Sequence, residues 1–126
     1  MSKKIIKTDK APAAIGPYSQ GVATGNLLFT SGQLPIDPST GKLVDGSIED
    51  KAHIVFKNIK AIAEAAGTNL EKAVKITVFL ADIKNFQAVN GVYAQYFKEP
   101  FPARSAFQVG ALPLGADIEV EAIFEL

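Results

Sequence analysis

Two stretches of this chain place apolar residues at spacings of three and four, and each is followed by stretches in which apolar residues recur every second position. Ala52, Val55, Phe56, Ile59, Ile62, Ala63 and Ala66 mark one face of an amphipathic helix, and Phe86, Val89, Tyr93, Tyr96 and Phe97 mark a second. Between them Val74, Ile76, Val78 and Leu80 alternate with Lys75, Thr77 and Phe79, the period of a strand. A segment patterned for one period cannot present one face in the other, so the order of elements is tightly constrained.

The boundaries are legible from turn chemistry. Lys4 to Thr8 is a short β-prone run, and the prolines and glycine of Ala11 to Tyr18 make the next segment a loop that carries an aromatic ring. Gln20 to Thr24 and Leu27 to Ser31 flank Gly25-Asn26, which predicts a tight hairpin. Ser47 with Asp50 three residues later predicts a capped helix start near Ile48, and Gly67 suits its end. Pro100 and Pro102 stop the second helix, and two strands follow, Arg104 to Val109 and Asp117 to Glu125.

Strands, helix, strand, helix and two strands predict an α+β fold in two layers, a mixed β-sheet with both helices on one face. No linker or repeat divides residues 1–126, so one domain is expected. Ile118, Val120, Ala122 and Phe124 are expected to face the helices, which turns Glu119, Glu121 and Ile123 away. On the preceding strand the same alternation sends Ser105, Phe107 and Val109 inward and Arg104, Ala106 and Gln108 outward. Arg104 and Glu119 are thereby expected to share the helix-free face. Phe79 and Ile123 lie there too, an apolar content that calls for a subunit interface.

Several chemistries are excluded. The chain has no Cys, so thiol nucleophiles, disulfides and thiolate metal sites are absent. One His without a Gly-x-Ser-x-Gly elbow argues against a Ser-His-Asp hydrolase, and neither EF-hand spacing, a P-loop nor Gly-x-Gly-x-x-Gly occurs. No metal or nucleotide cofactor is expected. Thirteen Lys plus Arg balance thirteen Asp plus Glu, which removes the whole-protein field that gathers nucleic acid or anionic membrane. Without an apolar h-region after the basic start, or a membrane-length apolar run, a soluble cytoplasmic protein is expected.

Two charged residues stand out. Arg104 enters a strand directly from the stiff Phe101-Pro102-Ala103 turn, and a guanidinium so held can grip a carboxylate through two parallel hydrogen bonds. Glu119 interrupts a β-branched, apolar strand, where a carboxylate can act as general base on water. Each also has a plain alternative, a surface ion-pair residue and an exposed rim carboxylate. Tyr18, Ser31, Gly32 and Asn90 have ordinary structural uses, and His53 borders the apolar arc of the first helix as a solvent-edge residue.

Five ordered stretches change that balance: Ala11-Pro12-Ala13-Ala14-Ile15-Gly16-Pro17-Tyr18-Ser19-Gln20, Thr30-Ser31-Gly32-Gln33-Leu34-Pro35, Val89-Asn90-Gly91-Val92-Tyr93, Pro102-Ala103-Arg104-Ser105 and Ile118-Glu119-Val120-Glu121-Ala122-Ile123. Through them the chain resembles the RidA/YjgF reactive-intermediate deaminase family over essentially its whole length. The resemblance implies a chorismate-mutase-like fold and a homotrimer with clefts between subunits. It also implies hydrolysis of unstable 2-imino or enamine acids, such as 2-aminoacrylate and 2-aminocrotonate, to 2-keto acids and ammonia without a cofactor. By the same resemblance Arg104 binds the substrate carboxylate, Glu119 orients or activates water, Tyr18 lines the cleft, and Ser31, Gly32, Asn90 and Ala106 help form the pocket. Many relatives carry Cys where this chain has Ala106, so a thiol role is absent here while a backbone amide contact survives. Two rival readings remain, a non-catalytic binder of small carboxylates and an RNA-cleaving translation inhibitor.

Overall fold

The computed structural model describes residues 2–126; Met1, part of the basic start, lies outside the described residues. Strand β1 (Lys4–Ile6) pairs antiparallel with β2 (Gly21–Thr24), which turns through Gly25-Asn26 into β3 (Leu27–Thr30). Gly25 takes a positive φ of 58°, the conformation that the tight turn demands and a β-carbon disfavours. A small two-stranded ribbon follows, β4 (Ile36–Asp37) with β5 (Lys42–Leu43). Helix α1 (Ile48–Ala65) opens with the expected reciprocal cap between Ser47 and Asp50, a feature worth ~1 kcal/mol.

Strand β6 (Ala73–Leu80), helix α2 (Phe86–Tyr96), strand β7 (Ala103–Gln108) and strand β8 (Ile118–Glu125) complete the chain. The six-stranded sheet has the order β1-β2-β3-β8-β6-β7, antiparallel except for β6 and β7, which run parallel across α2. The last strand in sequence is therefore central in space, between β3 and β6. Its eight-residue alternation is the cleanest in the sequence because it faces a helix layer on one side only.

The buried residues form one cluster between the sheet and the helices. Ile118, Val120, Ala122 and Phe124 of β8 meet Ile76, Val78 and Leu80 of β6, with Val55, Phe56, Ile59 and Ile62 of α1 above them. Each fully buried Phe, Ile, Leu or Val there contributes ~1.5–3 kcal/mol by leaving water. Phe56 joins the two helices through edge contacts to Tyr93 and Phe97, at 5.8 and 5.9 Å between ring centres. Val74 breaks the alternation: a register shift between Ala73 and Lys75 leaves it exposed.

One expected face is inverted. In the β6–β7 register Ile76 pairs with Arg104, Val78 with Ala106 and Leu80 with Gln108, so these three β7 residues stand on the helix side. Ser105 and Phe107 point to the helix-free side, where Phe107 contacts Phe79 at 5.4 Å between ring centres. Glu119 pairs with Phe79 and is on that helix-free side as expected. Arg104 and Glu119 therefore occupy opposite faces of one sheet. The error has a physical cause: β7 is a short edge strand whose phase is set by its partner β6, and its own sequence alternates too weakly to fix it.

The helix-free face carries an apolar patch beside a polar strip of Lys75, Thr77, Glu119 and Glu121. Registered positions bring Ile5, Val22, Phe29 and Ile123 side by side across four strands, and Phe79 with Phe107 across two more. Ile5, Phe29 and Phe107 are exposed on it.

Candidate active site

Glu119 lies at the wall of a cavity of about 540 Å³ that Tyr18, Gly32, Pro113 and Leu114 also line. Three loops build it, and polar contacts of Gln20, Ser31 and Asn58 hold the two that carry Tyr18 and Gly32. Gln20, itself buried, receives a hydrogen bond from the Thr8 amide at 2.7 Å, and its Nε2 donates to the carbonyls of Thr8, Ala11 and Pro12. One side chain thus fixes the loop that carries Tyr18. Ser31 donates its hydroxyl to the Ser19 carbonyl, which ties the end of β3 to the same loop. Buried Asn58 of α1 donates to the Ile36 carbonyl at 2.9 Å and secures the loop beyond Gln33.

Gly32 has a specific task. Its φ is not positive, so the backbone conformation does not call for glycine; it precedes Gln33, whose amide pairs with the Val120 carbonyl at 2.7 Å. That bridge presses the Gly32 backbone against Glu119 so closely that a β-carbon would lie 2.8 Å from the carboxyl carbon. Half-buried in this way, Glu119 is pushed above the usual glutamate pKa by burial first and by the Glu121 carboxylate second. Leu114, opposite, adopts a positive φ of 60°, sparsely populated for a non-glycine, and is held there with its side chain exposed at the cavity.

Across the sheet a second, shallower hollow is lined by Ile83, Lys84, Phe86, Gln87 and Ala106. Beside it stands Arg104, whose Nη1 donates to Asn90 Oδ1 at 2.6 Å. The guanidinium carbon lies 4.6 Å from the centre of the Tyr93 ring and 5.4 Å from that of Phe86. The one ion pair among the described residues joins Lys51 to Asp117, so Arg104 has no carboxylate partner within its own chain. Such a cation, exposed and unneutralised, is available to an anion.

The sequence-derived residues thus fall into two groups. Tyr18, Ser31, Gly32 and Glu119 gather around the cavity or its supporting loop; Asn90, Arg104 and Ala106 gather on the α2 side of β7. His53 belongs to neither, because its Nδ1 lies 2.8 Å from the Tyr96 hydroxyl and its ring packs on the same residue. Gln20, Asn58 and the Phe86–Tyr93 pair were not singled out for the site from the sequence. Only the last left a signal there, since Phe86, Asn90 and Tyr93 are spaced by four and three and form one stripe of α2 facing β7. No helix of the described residues is long and apolar enough to cross a membrane.

Known proteins share both the sequence and the fold. A family model described as Endoribonuclease L-PSP matches residues 8–126. The chain is 53% identical over 121 residues to the 2-iminobutanoate/2-iminopropanoate deaminase of Capra hircus, covering 96% of this chain and 88% of that protein. RidA from an Antarctic Psychrobacter has the same fold at a TM-score of 0.94, with 49% identity over 98% of this chain and 99% of that one. E. coli TdcF with bound serine matches at a TM-score of 0.92, with 44% identity over 98% of each chain.

Proposed function

Because the chain belongs to the Endoribonuclease L-PSP (YjgF/RidA) family, we propose that it hydrolyses reactive 2-imino and enamine acids, such as 2-aminoacrylate and 2-aminocrotonate, to 2-keto acids and ammonia. Relatives about half identical over nearly the whole chain carry the name of that activity. The substrate is a small carboxylate, which matches a free guanidinium at Arg104, and its electrophilic carbon needs only water and a base.

One observation carries the assembly. Arg104 and Glu119 stand on opposite faces of the same sheet, so no single chain brings them to one substrate. A complete site joins the Arg104 side of one subunit to the Glu119 side of the next. Two opposite faces cannot both meet one partner, so this interface is head-to-tail, and its closed form is a ring rather than a two-fold dimer. A homotrimer with three shared clefts satisfies this and covers the apolar patch of the helix-free face. We further propose that the protein acts in the cytoplasm, an expectation that rests on its sequence alone.

In the shared cleft Arg104, held by Asn90, grips the substrate carboxylate, with Ala106 contributing its backbone. Tyr18 and Ser31 shape the opposing wall. The enamine first tautomerises to the imine; Glu119, its pKa raised, then takes a proton as water adds to the imine carbon and passes it to the nitrogen, and the resulting amino alcohol loses its hydroxyl proton as the C–N bond breaks and the nitrogen, taking up one proton, leaves as ammonia. The carbonyl of the 2-keto acid remains. No cofactor enters this balance.

The description of the family model favours a second reading, cleavage of RNA. Zero net charge leaves little counterion release to drive RNA binding at physiological salt, and the cavity beside Glu119 is lined mainly by apolar groups. RNA binding that weakens steeply with salt would favour the nuclease.

The test generates 2-aminoacrylate with a serine dehydratase and follows pyruvate with and without the protein, corrected for spontaneous hydrolysis. Arg104→Ala and Glu119→Gln are then unfolded together, refolded as mixed trimers and assayed. Each is inactive alone, but random mixing leaves about a quarter of head-to-tail interfaces with both groups intact. Recovery to that level supports shared sites; none would place the site within one chain.

A further inference from the structure

Arg104 is exposed, yet its guanidinium is not free to wander. Three residues of one helical stripe meet it: Asn90 through a 2.6 Å hydrogen bond at Nη1, Tyr93 at 4.6 Å and Phe86 at 5.4 Å from their ring centres. Phe86 is half-buried and Tyr93 buried, so their positions are fixed by the core rather than by the arginine. Tyr93 is also packed on Phe97 at 4.6 Å and on Phe56 at 5.8 Å. Nε and Nη2 have no partner among the described residues, which leaves one two-nitrogen edge of the guanidinium uncommitted.

We propose that Tyr93 and Phe86 are positioning residues that hold the Arg104 guanidinium against α2 with its uncommitted edge presented to the substrate carboxylate. The proposal rests on the reading of Arg104 as the carboxylate anchor. An unrestrained arginine of this length must give up rotamer freedom each time it binds, and the two rings and Asn90 remove that freedom beforehand. A ring face suits the task because it attracts the cation without offering a competing anion.

The Tyr93 hydroxyl is not the working part. It is buried and has no hydrogen-bond partner among the described residues. Burial pushes its pKa up, against a smaller opposing effect of the Arg104 charge, so it stays neutral and never competes with substrate for the guanidinium. The ring carries the effect, and phenylalanine should supply it as well as tyrosine.

The decisive measurement is the separation of KM from kcat in Tyr93→Leu, Tyr93→Phe and Phe86→Leu, with binding of pyruvate by calorimetry beside it. Tyr93→Leu is expected to raise KM and weaken pyruvate binding about tenfold, ~1.4 kcal/mol, with kcat within about threefold of the parent. Tyr93→Phe, which keeps the ring, restores both. Phe86→Leu, at a partly exposed position, is expected to raise KM about threefold and carries the test should Tyr93→Leu fail to assemble. Parent KM in both leucine variants, or a fall in kcat in Tyr93→Phe, would overturn the proposal while leaving the deaminase reading intact. Unchanged pyruvate binding in Arg104→Ala alone would instead overturn the anchor on which it rests.

Discussion

Replacing Gly32 by Ala adds one methyl group beside the proposed base and almost nothing else. The backbone there does not need glycine, since Gly32 has no positive φ. The methyl, however, would lie 2.8 Å from the Glu119 carboxyl carbon and 3.1 Å from its Cγ, against an ordinary contact limit of 3.4 Å, so the carboxylate must retreat by at least 0.6 Å. Its room is restricted by Ile118 and Val120, both fully buried, which anchor the backbone on either side. The side chain must therefore turn away from its rotamer, at ~0.5–1.5 kcal/mol, while the loss of glycine's unfolded-state freedom returns ~0.5–1 kcal/mol. Stability should stay within about 1 kcal/mol of the parent. Activity should not, because displacing a catalytic group by about 1 Å costs on the order of 10²-fold. The assay is 2-aminoacrylate hydrolysis, corrected for the uncatalysed reaction, alongside thermal unfolding and oligomer mass. A Gly32→Ala protein that assembles, unfolds at the parent temperature and hydrolyses at the parent rate would refute the placement of Glu119 as the base.

Other substitutions separate the remaining roles. Arg104→Ala should lose pyruvate binding and turnover together, whereas Glu119→Gln should keep the oligomer and pyruvate binding but slow hydrolysis by ~10²-fold or more. Because burial raises the Glu119 pKa, the folded chain binds more protons than the unfolded one between the usual glutamate value and the raised value, so its stability falls as pH climbs through that window. Glu119→Gln should therefore raise Tm at neutral pH, with the gain vanishing below the usual glutamate pKa; a gain that persists there would contradict the cause assigned. Gln20→Ala should cost ~2–4 kcal/mol in urea unfolding by orphaning the amide and carbonyls of residues 8–12, and should raise KM by loosening Tyr18.

The parts of the fold that were legible in the sequence are those decided locally. The Ser47–Asp50 cap, the Gly25-Asn26 hairpin and the buried faces of α1 and β8 depend on neighbours within a few positions, and a period records them directly. Buried Gln20 and Asn58 were not legible because their partners lie eight to twenty-four positions away, and a polar residue gives no sign of being satisfied at such range. The same holds for Gly32, whose contact with Glu119 exists only once residues 33 and 120 pair. Candidate residues were thus identifiable by resemblance, while what holds each of them was visible only in three dimensions.

The phase of β7 shows how much can turn on a single register. Phe107 is the largest apolar residue of that strand, and placing it inward is the choice hydrophobic patterning favours for an isolated chain. It stands outward instead, 42% exposed beside Phe79, on a face that already shows Ile5 and Phe29. A strand that spends its best apolar residue on the open face, and sends an arginine to the helix side, is poorly explained by the stability of one subunit. Both choices make sense together if the open face is closed by a neighbour. Phe107 then gains burial at the interface, and Arg104, seated on Asn90, Phe86 and Tyr93, faces the neighbour's Glu119 cavity rather than its own. Under the proposed assembly, the register that exposes apolar surface also divides the catalytic pair, so burying the surface and completing the site become the same event.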